Sequence, residues 1–235
     1  MFVFGALRLT IASDQLLYIR TEQVYGLMSL LLWYVALAIS PLTYVFGKQR
    51  LARLTFARRA IGVSAAYFAL LHLGVALWGQ LGGLSEIGYL PPLFKWSLGA
   101  GVAAVAILLI MALTSFDSVI RFMTFIRWKW LHRLGYIGGV LAILHIWMIG
   151  THLEYEWVRW TAFIALGVLA GLEMFRTTTL LAKQFAELRR PEYFYTAFLG
   201  LWMICLMLLL SVPLLVQNYH GANSATVGAL AVRHA

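Results

Sequence analysis

The chain has 235 residues, of which 62% are hydrophobic and 11% charged, where a soluble domain carries about 45–50% and about 25%. That balance excludes a disordered chain, argues against a soluble one and points to several membrane-spanning helices. The net charge of +9 reads first as loop orientation rather than nucleic-acid binding, and the single cysteine, Cys205, excludes an internal disulfide, a CxxC pair and a four-cysteine iron–sulfur cluster.

Residues 1–23 hold apolar runs too short to span, broken by Arg8, Asp14, Arg20 and Glu22, and read as an interfacial lead-in without the pattern of a cleavable signal. Six apolar stretches follow, at 24–46, 60–82, 96–116, 131–152, 157–175 and 193–217. Each is near the roughly 20 residues that cross a bilayer as a helix, and none alternates as a strand would. The fifth is the weakest, because Arg159 and Glu173 bracket a short uncharged core. The expected fold is all-α: a polytopic membrane bundle of about six transmembrane helices in one domain (24–217), with an extracytoplasmic tail at 218–235. There is no sequence repeat or linker.

Thirteen basic residues fall on the loops of one side, among them Lys48, Arg50, Arg53, Arg58 and Arg59, then Arg127, Lys129 and Arg133. The positive-inside rule makes that side cytoplasmic, and an even number of spans leaves both termini outside. Trp78, Trp96, Trp128, Trp130, Trp157 and Trp160 sit near span ends, as an aromatic belt does.

Ionisable residues inside a bilayer are costly, so each is a functional candidate. His72 in the second span and His145 in the fourth both lie about 20 Å from the cytoplasmic entry, at 1.5 Å per residue. Two neutral imidazoles at one depth on two helices are what an axially bis-histidine haem needs. Small residues accompany them: Ala65, Ala69, Ala76 and Gly79 around His72, Gly138 and Ala142 below His145. Such residues leave room for a flat macrocycle, or simply let helices approach closely. His132 sits 13 residues before His145 and cannot share one haem with it. It reads as a ligand of a second, inner cofactor, a flavin or lipid contact, or an interfacial histidine among basic residues. Arg58 and Arg59 occupy the matching depth on the second span, as topology charges or as holders of an anionic propionate or phosphate. His152, with Glu154 and Glu156 after it, reads as a polar loop or a quinone or partner contact, and Glu173 as an i,i+3 partner of Arg176. His220 and His234 lie in the tail. No GxGxxG, P-loop, nucleophile elbow or HExxH is present. A transporter is disfavoured, because the first four spans hold no acidic residue or broken helix pair.

Three stretches carry a family resemblance: SPLTYVFGKQRLARLTFARRAIGV (40–63), AAYFALLHLGVALW (65–78) and LTSFDSVIRFMTFIRWKWLHRLGYIGGVLAILHIWM (113–148). Their order and spacing resemble the ferric-reductase-like transmembrane domain, and most of all its bacterial MsrQ/YedZ branch, over roughly the first five spans. The resemblance implies a b-type cytochrome in the bacterial inner membrane. Electrons would pass from a cytoplasmic-side flavin or quinol donor to a periplasmic-side acceptor. It implies His72 and His145 as the paired ligands of an outer haem b, and His132 as the inner histidine near a second haem or cofactor. It also implies association with flavin mononucleotide (FMN), and a separate redox partner protein, a molybdenum-containing reductase in that branch. Branch members begin with one more helix, where this chain has residues 1–23. A non-redox membrane scaffold or assembly subunit of a larger complex is the alternative.

Overall fold

The computed structural model describes residues 7–8, 11, 14–149 and 156–187. Residues 1–151 and 152–235 form two compact units, described separately. The expected sixth span, Cys205, His152, His220 and His234 lie outside the described residues.

All regular structure among the described residues is helical, and five helical segments are long and apolar enough to cross a membrane. The chain is a polytopic all-α membrane bundle. Helix α1 (Asp14–Phe46) turns back through Gly47, in the left-handed region at φ 90°, into α2 (Ala52–Gly74). The last turns of that helix widen to π geometry over Val75–Gln80. A short 3-10 turn (Leu84–Tyr89) leads to α3 (Pro92–Leu113), opened by a proline where a missing N–H costs nothing. Two short helices, α4 (Asp117–Met123) and α5 (Phe125–Leu131), precede α6 (Leu134–Ile149).

Helix α1 packs along α2, α2 against α3, α3 along α6, and α6 touches α1, so four helices close a ring. Trp33, Ala65, Ala66, Ala69, Ala104 and Leu108 form its centre. Outward-facing Leu27, Leu31, Tyr67, Val102 and Val140 are exposed. This is the arrangement a lipid solvent selects, because small residues let helices approach and apolar ones face hydrocarbon. The Ser29 hydroxyl donates to the Ala65 carbonyl at 2.9 Å and pins α1 to α2.

The first helix begins ten residues before the apolar run at 24–46. Its extension is continuous with the span because its side chains there face inward: apolar Leu17 and polar Thr21 are buried, and Glu22 lies beside His72. The fourth span is two helices bent at His132 and Arg133 rather than one rod from residue 131. In the second unit, α7 (Glu156–Glu187) runs twelve residues past the expected end at 175. Arg176 pairs with Glu173 at 2.6 Å, as the spacing suggests, and the Thr178 and Thr179 hydroxyls bond to carbonyls one turn back. Polar groups satisfied within the helix do not end it.

Candidate functional site

The four-helix ring brings the His72 and His145 side chains together. His72 lies in the last turn of α2, just before the π segment, and His145 in the last turns of α6. Their ring centres are 6.1 Å apart and the planes are nearly perpendicular, at 80°. Two imidazoles that share a metal at about 2.0–2.1 Å per bond hold their centres about 6 Å apart.

Each ring is fixed by a helix that carries no histidine of the pair. His72 Nδ1–H donates to the Glu22 carbonyl of α1 at 3.0 Å, and His145 Nδ1–H to the Ser97 carbonyl of α3 at 2.9 Å. A carbonyl only accepts, so both protons sit on Nδ1 and both Nε2 atoms keep a lone pair. Metal-bound histidines show this pattern, with the second ring nitrogen anchored to a carbonyl or carboxylate. The residues present therefore fit a metal held in a macrocycle, for which His72 and His145 would supply the two protein ligands. A site built from protein ligands alone would need more: among the described residues no group of three or more His, Cys, Asp or Glu converges.

The small residues have another use than the one expected of them. A Cβ at Gly79 would stand 2.5 Å from the Tyr18 ring, and one at Gly138 2.7 Å from Trp33 and 3.0 Å from Ile107. Ala65 is fully buried, with its carbonyl under Ser29. These positions are occupied by helix packing, the second of the two readings. Two other glycines, Gly26 and Gly101, lie against the histidines. A Cβ at Gly26 would meet His72 Nδ1 at 3.0 Å, and one at Gly101 would meet His145 Nδ1 at 2.8 Å. The backbone role of Glu22 and Ser97 carries one signal in the sequence, a repeated four-residue spacing, Glu22 to Gly26 and Ser97 to Gly101.

His132 is not part of this pair. It caps α5 at the bend, its ring 4.1 Å from the Trp128 ring. Its Nδ1 lies 3.1 Å from the Trp128 carbonyl and its Nε2 3.4 Å from the Ser115 hydroxyl, which donates to the Met111 carbonyl at 2.6 Å. Arg58 donates from Nε to the Ala36 carbonyl of α1 at 2.9 Å and bears electrostatically on His132. Arg59 points elsewhere, to Asp117 of α4 at 2.6 Å in an exposed pair. Arg133 stacks over Trp130, 3.9 Å from the ring centre. These basic residues thus tie helices and loops together.

Residues 25–146 match the model of the family described as ferric reductase like transmembrane component, and the chain belongs to that family. It is similar to the protein-methionine-sulfoxide reductase heme-binding subunit MsrQ of Deinococcus radiodurans, 34% identical over 166 residues, covering 71% of this chain and 75% of the relative. It is also similar to the subunit of that name from Ralstonia nicotianae, 33% identical over 152 residues, covering 63% and 67%. No solved structure matches.

Proposed function

We propose that this member of the ferric-reductase-like family is a b-type cytochrome subunit. It holds haem between His72 and His145, and it passes electrons across the membrane from a cytoplasmic-side flavin or quinol donor to an acceptor on the outer side. The observation that carries the reading is the adjacent imidazole pair, ring centres 6.1 Å apart, with both Nδ1 protons anchored to carbonyls of neighbouring helices. The printed names of the relatives, heme-binding subunits, support it.

Haem, when bound, supplies one-electron chemistry at a potential that its axial ligands and their hydrogen bonds help to set. The chain's residues do the rest. His72 and His145 offer their Nε2 lone pairs. The Glu22 and Ser97 carbonyls hold the tautomer that makes those lone pairs available. Both rings are half-buried in the bundle, which limits their contact with solvent. The positive-inside distribution puts the loop after α1 in the cytoplasm and the pair in the outer half of the membrane.

One haem b is the reading favoured here. His132, Arg58 and Arg59 are read as structural groups at the inner end: the carbonyl that His132 Nδ1 meets is one turn back on its own helix, Arg58 bonds to Ala36 of α1 and Arg59 to Asp117 of α4. A separate protein or quinol supplies electrons, and a separate protein accepts them.

Reduced-minus-oxidised absorbance of the purified full chain, made with ample haem, tests the reading. A low-spin b-type band with one haem per chain is expected, lost in both His72→Ala and His145→Ala. Two haems per chain would return His132 to the ligand set. A chain without any such band would support the non-redox scaffold.

A further inference from the structure

We propose that α1 and α3, which contribute no ligand, position the two histidines through paired carbonyl and glycine sites, Glu22 with Gly26 and Ser97 with Gly101, and that the Ser97 hydroxyl tunes His145. The inference rests on the haem reading above and extends it to residues outside the ligand pair.

The geometry begins with how a helix covers its own carbonyls. Side chains lean toward the N-terminus, so the residue at i+4 lies over the turn that holds the carbonyl of residue i. A glycine at i+4 leaves that carbonyl open to a group from another helix. Both histidines use such an opening. His145 Nδ1 reaches the Ser97 carbonyl at 2.9 Å through the place where a Gly101 side chain would begin, 2.8 Å from that nitrogen and 3.0 Å from Cε1. His72 Nδ1 reaches the Glu22 carbonyl at 3.0 Å through the equivalent gap at Gly26, with distances of 3.0 and 3.2 Å to Nδ1 and Cε1. Helix α3 supplies its own control: a Cβ at Gly99, two residues before Gly101, would meet nothing within 4 Å.

The two clasps differ in strength. Ser97 is fully buried, and its hydroxyl donates to the His145 carbonyl at 3.0 Å while its oxygen lies 3.2 Å from Nδ1. The Nδ1 proton of His145 is thus shared between two acceptors of one residue. On the His72 side the second group is the Glu22 carboxylate, 3.9 Å away and beyond a hydrogen bond. Acceptors on Nδ1–H make the opposite nitrogen a better donor to a metal, which favours the oxidised iron. Ser97 is therefore a positioning residue that lowers the potential of the site, and Gly101 is the gap that lets it act.

The test uses the full chain loaded with haem, in detergent, with four single variants. Ser97→Ala keeps its haem and its low-spin band, and its midpoint potential moves upward from the parent's. Gly101→Ala loses most of the low-spin band, Gly26→Ala loses less, and Gly99→Ala matches the parent. If Ser97→Ala fails to insert, the comparison of Gly101→Ala with Gly99→Ala decides alone. A parental potential in Ser97→Ala, or equal haem spectra in the two α3 glycine variants, overturns the proposal while leaving the His72/His145 reading intact. A parent without a haem spectrum overturns both readings at once.

Discussion

Adjacent glycines of α6 predict opposite consequences for one added methyl group. A Cβ at Gly138 would sit 2.7 and 2.9 Å from Trp33 and 3.0 Å from Ile107, whereas at Gly139 it would meet only Leu37 at 3.8 Å, an ordinary contact. Trp33 has little room to retreat: it is 4% exposed and packed among Ala65, Ala66, Ala69 and Ala104. Overpacking of this kind costs about 1–3 kcal/mol. Either alanine also gains about 0.8–1 kcal/mol of helix propensity. That gain cancels when the two variants are compared with each other. Gly138→Ala should therefore be less stable than Gly139→Ala by about 1–3 kcal/mol, a factor of about 5–150 in the folding equilibrium. Against the parent, Gly139→Ala should be neutral or slightly more stable. Unfolding of the full chain in mixed micelles with rising SDS, followed by tryptophan fluorescence, measures the difference. Equal midpoints for the two variants, or the reverse order, would refute the packing argument.

Other variants follow from the same contacts. Ser29→Ala removes the α1–α2 hydrogen bond to Ala65; the micelle titration should show a loss of about 0.6 kcal/mol, and no more than about 1.7, as for other interhelical hydrogen bonds in membranes. Arg58→Ala should cost about 1.5–3 kcal/mol, because a charged donor to the Ala36 carbonyl is lost. Arg59→Ala should cost at most about 1 kcal/mol and lose even that in high salt, since its pair with Asp117 is exposed; a larger effect at Arg59 than at Arg58 would contradict the assignment. Gly79→Ala drives a Cβ to 2.5 Å from the Tyr18 ring, so its penalty should shrink when Tyr18→Ala is already present; additive penalties in that double-mutant cycle would place Tyr18 elsewhere.

The spans were legible because long apolar runs have few other uses. Their ends were not, for an identifiable reason. Counting charges starts the first span after Glu22 and ends the fifth at 175, just before Arg176, yet α1 and α7 run through both places. At Glu173 the charge is matched by Arg176 within the helix. At Glu22 and Thr21 the polar residues turn into the bundle instead of toward water or lipid. Hydropathy cannot separate a polar residue that ends a helix from one that faces a partner across it. The bend at His132 was equally hidden. It depends on the Trp128 and Ser115 groups that meet the histidine after the chain has folded back.

The site divides along the same line. The histidine pair could be read from depth alone, since 1.5 Å per residue is set by the helix whatever surrounds it. What holds the pair could not, because its acceptors are backbone carbonyls, present at every residue and therefore silent in sequence. Only their exposure is encoded, and it is encoded by an absence: glycine at Gly26 and Gly101, four residues after Glu22 and Ser97. The glycines and alanines nearest the histidines drew attention instead, and Gly79, Gly138 and Ala65 turn out to serve Tyr18, Trp33 and Ser29. In a bundle where nearly every interface uses small residues, their presence beside a candidate ligand says little. The informative glycine lies on the facing helix, one turn after a carbonyl at the ligand's depth. Any second pairing of histidines in such a bundle should be sought by that spacing, and the inner end fails the criterion. The carbonyl that His132 Nδ1 meets belongs to Trp128, on its own helix and one turn back, and among the described residues no glycine contact opens onto its ring. That is the geometry of a capped bend, whereas His72 and His145 each reach a carbonyl of a facing helix.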